Sequence, residues 1–72
     1  MTDSQKMELL AELFEVEVSD ITPDKKLSEL QWDSMNMLGL IAMFKSEFNV
    51  KLPAATLRTF TTVNDILKEM PE

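Results

Sequence analysis

Residues 35–48 are apolar or small on nearly every side, and no other stretch constrains the fold as strongly. At 100° per residue, Met37, Leu40, Ile41, Phe44 and Phe48 share one face of a helix. Met35, Leu38, Gly39, Ala42 and Ser46 fall on the opposite side, with Met43 on the flank. A helix that is apolar all round is normally buried inside a larger protein. This chain has 72 residues, enough for one small core and too few to wrap such a helix. One face is therefore expected to pack the core while the other meets a partner. The competing reading is a helix sandwiched between the preceding loop and the next helix.

The rest of the pattern supplies the elements around it. Met7, Leu10, Ala11 and Phe14 repeat at i, i+3, i+4 and i+7, and Thr2 and Gln5 have capping-box spacing, which predicts a helix over 3–15. The next stretch is long for a connection in a compact bundle. Its Val16 to Val18 alternation is too short to need a sheet partner. Thr22-Pro23-Asp24 reads as a turn, and Leu27, Leu30 and Trp32 as anchors that pin the loop over a core. The apolar helix is expected to start at Asp33-Ser34 and to run to about Phe48. Pro53 suits the opening of a short helix over 54–59. Thr62 with Asp65 three residues on caps a last helix carrying Val63, Ile66, Leu67 and Met70. The expectation is one all-α domain over 1–72, with three principal helices, a short one and a long first loop.

Composition narrows the chemistry. The sequence has no cysteine and no histidine, which excludes disulfides, zinc fingers, thiol catalysis and imidazole base chemistry. The net charge of −6 lies wholly in residues 1–24, where seven acids face Lys6 alone; residues 25–72 carry six acids and six bases. That balance disfavours nucleic acid or an anionic membrane as partner. No apolar run approaches the roughly 20 residues of a membrane span, and MTDSQKMELL lacks the basic-then-apolar pattern of a signal peptide. A cytoplasmic, monomeric protein that is not an enzyme is expected, without membrane insertion, catalytic residues or a metal site. No nucleophile elbow, phosphate-binding loop or dinucleotide fingerprint occurs.

Asp33-Ser34 is singled out by position. It opens the most apolar helix directly after the long loop, where unsatisfied N–H groups and a positive partial charge favour a phosphate ester on Ser34. Asp33 could cap the helix or bind Mg²⁺ during phosphate transfer. The plain alternative is that the pair is only an N-cap. The order of elements around it resembles the acyl carrier proteins of the phosphopantetheine-binding superfamily. The resemblance runs through an amphipathic first helix, a loop with ITPDKKLSEL, Trp32-Asp33-Ser34-Met35, Glu47-Phe48-Asn49-Val50, Leu52-Pro53 and Thr61-Thr62-Val63-Asn64-Asp65. It covers essentially the whole sequence, and it implies an acyl-carrier-like four-helix bundle.

The resemblance also implies a function. Ser34 would accept 4′-phosphopantetheine from coenzyme A through a phosphopantetheinyl transferase, with Asp33 helping to position Ser34 and the metal in that complex. The thiol of the arm would hold an acyl group as a thioester and present it to partners. These would be an acyl-loading ligase or acyltransferase, and a ketoacyl synthase or other acyl-processing enzymes. The setting would be fatty acid or polyketide biosynthesis, specialised lipid synthesis or polysaccharide acylation.

Two departures refine the picture. Carriers of fatty-acid synthesis have a strongly acidic second helix, whereas this one carries only Asp33, Lys45 and Glu47. Asn36, Gly39, Ala54 and Ala55 stand where acids are common, and Arg58 is basic. Docking is therefore expected to be mainly hydrophobic, through Met35, Leu38, Gly39 and Ala42 around Ser34, with Trp32 nearby. Met37, Phe44, Leu57, Phe60 and Ile66 would face the gap where an acyl chain can slide, and their bulk predicts a shallow or closed pocket suited to short, polar or aminoacyl cargo. The alternatives are a peptidyl, aryl or D-alanyl carrier, or a helical adaptor with Ser34 unmodified. A hydrolase using Ser34 lacks a general base.

Overall fold

The computed structural model describes residues 2–71. The first helix, α1 (Asp3–Phe14), begins with the capping box: the Gln5 N–H donates to Thr2 Oγ1 at 3.2 Å, and the Thr2 N–H donates to Gln5 Oε1 at 2.9 Å. It stops at Glu15, whose φ of 58° lies in the left-handed region, and the Val16 N–H closes the end on the Ala11 carbonyl at 3.0 Å. The second helix, α2 (Ser34–Met43), passes directly into a π-helical turn at Phe44–Phe48. Two short helices complete the set, α3 (Ala54–Leu57) and α4 (Val63–Leu67). Single 3₁₀ turns occur at Val18–Asp20 and Leu27–Glu29, and the described residues contain no strand beyond one isolated bridge. The all-α expectation and the order of four helices hold.

The expected three principal helices reduce to two, because α4 ends at Leu67 and Met70, expected on it, lies beyond its end. Three further details differ. The second helix reaches Phe48 as expected, but its last turn widens to π geometry, with the Phe48 ring set edge-on to Phe44 at 5.4 Å. Apolar spacing could not separate the two, because both geometries keep residues four apart on one side. Asn49, at φ 55°, ends the turn, and the Val50 N–H returns to the Phe44 carbonyl at 3.1 Å. Pro53 caps α3 rather than opening it, and its carbonyl accepts from the Thr56 and Leu57 N–H groups at 3.0 and 3.3 Å. The third helix is shorter than expected and ends at Leu57.

The core joins all four helices through Leu10, Phe14, Leu40, Phe44, Leu57, Val63 and Ile66, with Leu27 supplied by the loop. Burying each such side chain contributes about 1.5–3 kcal/mol. The long loop is held by backbone as well as by its anchors. The Leu27 N–H donates to the Thr61 carbonyl at 2.8 Å, the Val63 N–H to Lys25 at 2.9 Å, and the Asn64 N–H to Pro23 at 2.8 Å. Lys26 and Thr62 form an antiparallel bridge within this stitch. Asp65 braces it from the α4 side. Its Oδ2 accepts from the Thr61 N–H at 2.9 Å, the Thr61 hydroxyl at 3.0 Å and the Thr62 N–H at 3.1 Å. Those donors hold the carboxyl at about 2, well below its ordinary value. At the other end, the Thr22 hydroxyl donates to Asp24 at 2.6 Å and lowers that carboxyl too, within the turn that the Lys25 N–H closes on Thr22.

Candidate functional site

Ser34 is the first residue of α2 and is exposed. Two neighbours fix that turn. Asp33 is the N-cap, its Oδ1 accepting from the Asn36 N–H at 2.9 Å. The Asn36 side chain reaches back and donates to the Gln31 carbonyl at 2.6 Å, so it ties the end of the loop to the start of the helix. The sequence marked Asn36 only as a missing acid; the bond to Gln31 needs the three-dimensional path of the loop and has no sequence signal. The Ser34 hydroxyl thus stands at the positive end of a helix, free to solvent, on backbone anchored from both sides.

The docking candidates divide. Met35 is 78% exposed, Leu38 67%, and Ala42 is also exposed, so these three form one outward face beside Ser34. Val18 is the other large apolar side chain that stands exposed among the described residues. Gly39 does not join that face. A Cβ built there would lie 2.8 Å from Leu13 Cδ1, so Gly39 turns toward α1 and lets the two helices approach closely. Trp32 also turns inward. It is half-buried, with its ring 6.1 Å from that of Phe14.

The cargo candidates divide as well. Phe44, Leu57 and Ile66 are buried in the core, Phe60 nearly so, and Met37 is half-buried against it. A cleft of about 420 Å³ opens elsewhere, between the loop and the junction of α3 with α4. Leu27, Leu30, Trp32 and Phe60 give it apolar walls, and Lys26, Ser28, Thr61 and Thr62 a polar rim. Phe60 is the residue it shares with the sequence-based set. The anchors of the loop line this cleft beside the backbone stitch to Thr61 and Thr62, a placement that apolar periodicity does not encode.

Among the described residues no group of three or more acids could hold a metal ion, and no helix is long and apolar enough to cross a membrane.

Comparison with known proteins identifies a family. The family described as phosphopantetheine attachment site matches residues 7–69. The acyl carrier protein of Thermotoga maritima is 35% identical over 65 residues, covering 89% of this chain and 80% of that protein. The bikaverin polyketide synthase bik1 of Gibberella fujikuroi is 32% identical over 60 residues, which is 83% of this chain but 3% of the synthase. The family implies a covalently attached 4′-phosphopantetheine, together with a phosphopantetheinyl transferase and acyl-processing enzymes as partners. An exposed serine hydroxyl on a capped first turn, next to helix N–H groups, fits a phosphodiester. A helical bundle of this order, a serine so placed and a match across nearly its whole length make this chain a member of the phosphopantetheine-attachment-site family of carrier proteins.

Proposed function

We propose that this chain is an acyl carrier whose arm is attached at Ser34. The observation that carries this is the placement of the Ser34 hydroxyl, exposed on the first turn of α2 between the Asp33 cap and the apolar pair Met35 and Leu38. In loading, the Ser34 oxygen forms the new bond to the phosphate of coenzyme A. The pyrophosphate bond breaks, 3′,5′-ADP leaves, and the hydroxyl proton passes to the transferase. Asp33 keeps the turn in place by its bond to the Asn36 N–H, and Asn36 holds the loop against it. The bound arm supplies the thiol that this cysteine-free sequence lacks. The chain then does no bond-making itself. It tethers its cargo and raises the effective concentration seen by each partner.

The residues support further detail. Residues 1–72 act as one carrier domain. Because Phe44, Leu57 and Ile66 fill the core, short or polar cargo is favoured over a long sequestered chain. The setting is specialised lipid, polyketide or polysaccharide-acylation biosynthesis, served by a loading ligase or acyltransferase and a ketoacyl synthase. A peptidyl, aryl or D-alanyl carrier is the second reading, favoured by the nearly uncharged outward face of α2.

Mass spectrometry after co-expression with a promiscuous phosphopantetheinyl transferase tests the proposal. A gain of roughly 340 Da, the mass of the arm as a serine phosphodiester, is expected in the native chain and absent in Ser34→Ala. No gain in the native chain would leave a helical adaptor as the better reading. Loading an eight-carbon chain is expected to leave the amide shifts around Phe44, Leu57 and Ile66 nearly unchanged.

A further inference from the structure

The outward face of α2 does not end at Ala42. Continuing at helical spacing, Lys45 and Ser46 follow on the same exposed side. Beyond them a cleft of about 380 Å³ lies at the end of the π turn, floored by Ile41 and Val50 and rimmed by Lys45 and Lys51. Both lysines are exposed. One bond of the Lys45 ammonium goes to Asn49 Oδ1 at 3.0 Å, which steadies the side chain and leaves two N–H donors. The acid of this turn points elsewhere: Glu47 lines a separate cleft with Leu9, Glu12, Leu13 and Met43, on the α1 side.

The charge of the surrounding segment has the same sign. Residues 34–58 carry Lys45, Lys51 and Arg58 against Glu47, a net +2 within a chain of net −6. So the face that begins at Ser34 is apolar for two turns and then cationic, while α1 displays Glu8 and Glu12 to solvent, and Glu15 is exposed at its end. A partner that buries Met35 and Leu38 also brings its own surface over Lys45 and Lys51, and opposite charge is what steers such an encounter.

We infer that the face of α2 docks on an acidic partner surface. An apolar socket takes Met35 and Leu38, and carboxylates about 15 Å from Met35, ten residues at 1.5 Å each, meet Lys45 and, just past the end of the π turn, Lys51. This rests on the carrier function proposed above and names the chemistry of the partner at that same site.

The test uses the full chain, labelled with ¹⁵N, and two synthetic probes. Both are 18-residue amphipathic helices with the same leucine stripe, one with glutamates on its polar face and the other with lysines. The glutamate probe is expected to move the amides of residues 35–51, and to bind at least tenfold more weakly to the double variant Lys45→Glu/Lys51→Glu. Its binding to Leu38→Ser is expected to fall as well, with the rest of each variant's spectrum unchanged. The lysine probe is expected to move α1 instead. Tighter binding of the lysine probe at residues 35–51, or unchanged binding of the glutamate probe by the charge-reversed variant, would overturn the inference. So would binding to phosphatidylglycerol vesicles in preference to the glutamate probe, since that would make the cationic end a lipid contact. Mass spectrometry on the same samples reports arm attachment separately, so a failed carrier and a failed docking chemistry give different results.

Discussion

On α1 the outward positions include Glu8 and Glu12, with Glu15 exposed at its end, whereas on α2 they are Met35, Leu38 and Ala42, and the two helices pack against each other. Each gives its inner side to one core, Leu10, Ala11 and Phe14 from α1, and Leu40 from α2 with Phe44 from the π turn that continues it. The difference lies outside. A charged outer side is what folding and solubility ask of a surface helix. Exposed methionine and leucine gain nothing from folding and raise the risk of association. Their place beside Ser34 is what the docking face proposed above rests on. Methionine suits a surface that must fit several partners, because its unbranched chain adapts its shape.

The strongest way to break this comparison is to cut the inner side of α2. Phe44 is fully buried, and Phe44→Ala is expected to lower unfolding free energy by about 3–5 kcal/mol, measured by urea denaturation. A loss below 1 kcal/mol would mean that the inner side is not the structural one. On the outer side, Leu38→Ser is expected to change stability by no more than about 0.5 kcal/mol. It should weaken the glutamate probe by about tenfold, or ~1.4 kcal/mol, in the same spectra that map its binding. A variant that lost stability and kept binding would reverse the roles of the two sides.

Two smaller effects sharpen the picture, one at the start of α4 and one between α1 and α2. The Asp65 carboxyl titrates at about 2 in the fold, against 3.8 ordinarily. A carboxyl with a lowered folded value contributes its stability above its unfolded value, and loses it as pH falls through the folded one. Asp65→Asn is therefore expected to be less stable than the native chain at pH 7. The gap should close as pH falls from about 4 toward 2, in thermal melts across that range. Gly39→Ala should do least. Alanine gains about 1 kcal/mol of helix propensity over glycine, and the new methyl must displace the tip of Leu13, 2.8 Å away. Near-cancellation in melting temperature is expected. Adding Leu13→Ala should release the close contact, so the effect of Gly39→Ala on that background should be a net gain.

Much of this architecture was legible in the sequence because it rests on local chemistry. Thr2 with Gln5, Asp33 and Thr62 with Asp65 are caps whose partners lie three residues away, and each forms the expected bond. The apolar stripes of α1 and α2 rest on spacing along a single helix, and so do their inward faces. What was not legible depends on contacts between distant segments. Gly39 looked like part of an open surface until α1 was laid across it. Trp32 looked like a neighbour of the docking face, and instead it packs on Phe14 and edges a cleft. The single glycine of the sequence is not a helix stop. The two left-handed stops fall on Glu15 and Asn49, while the glycine sits in the middle of α2, where a side chain would crowd α1.

The bridge between Lys26 and Thr62 joins positions 36 apart in the sequence, and the Leu27, Val63 and Asn64 amides are satisfied only across it. Such a contact closes a long loop, so it forms late relative to the helical turns it connects. The approach to Ser34 and the start of α4 should then open and close as one cooperative unit, with those three amides exchanging their hydrogens at a common rate. In folding, the stretch of loop around Leu27 would then be fixed after the local turn at Ser34. The loop that precedes Ser34 is thus completed by residues from the last part of the chain.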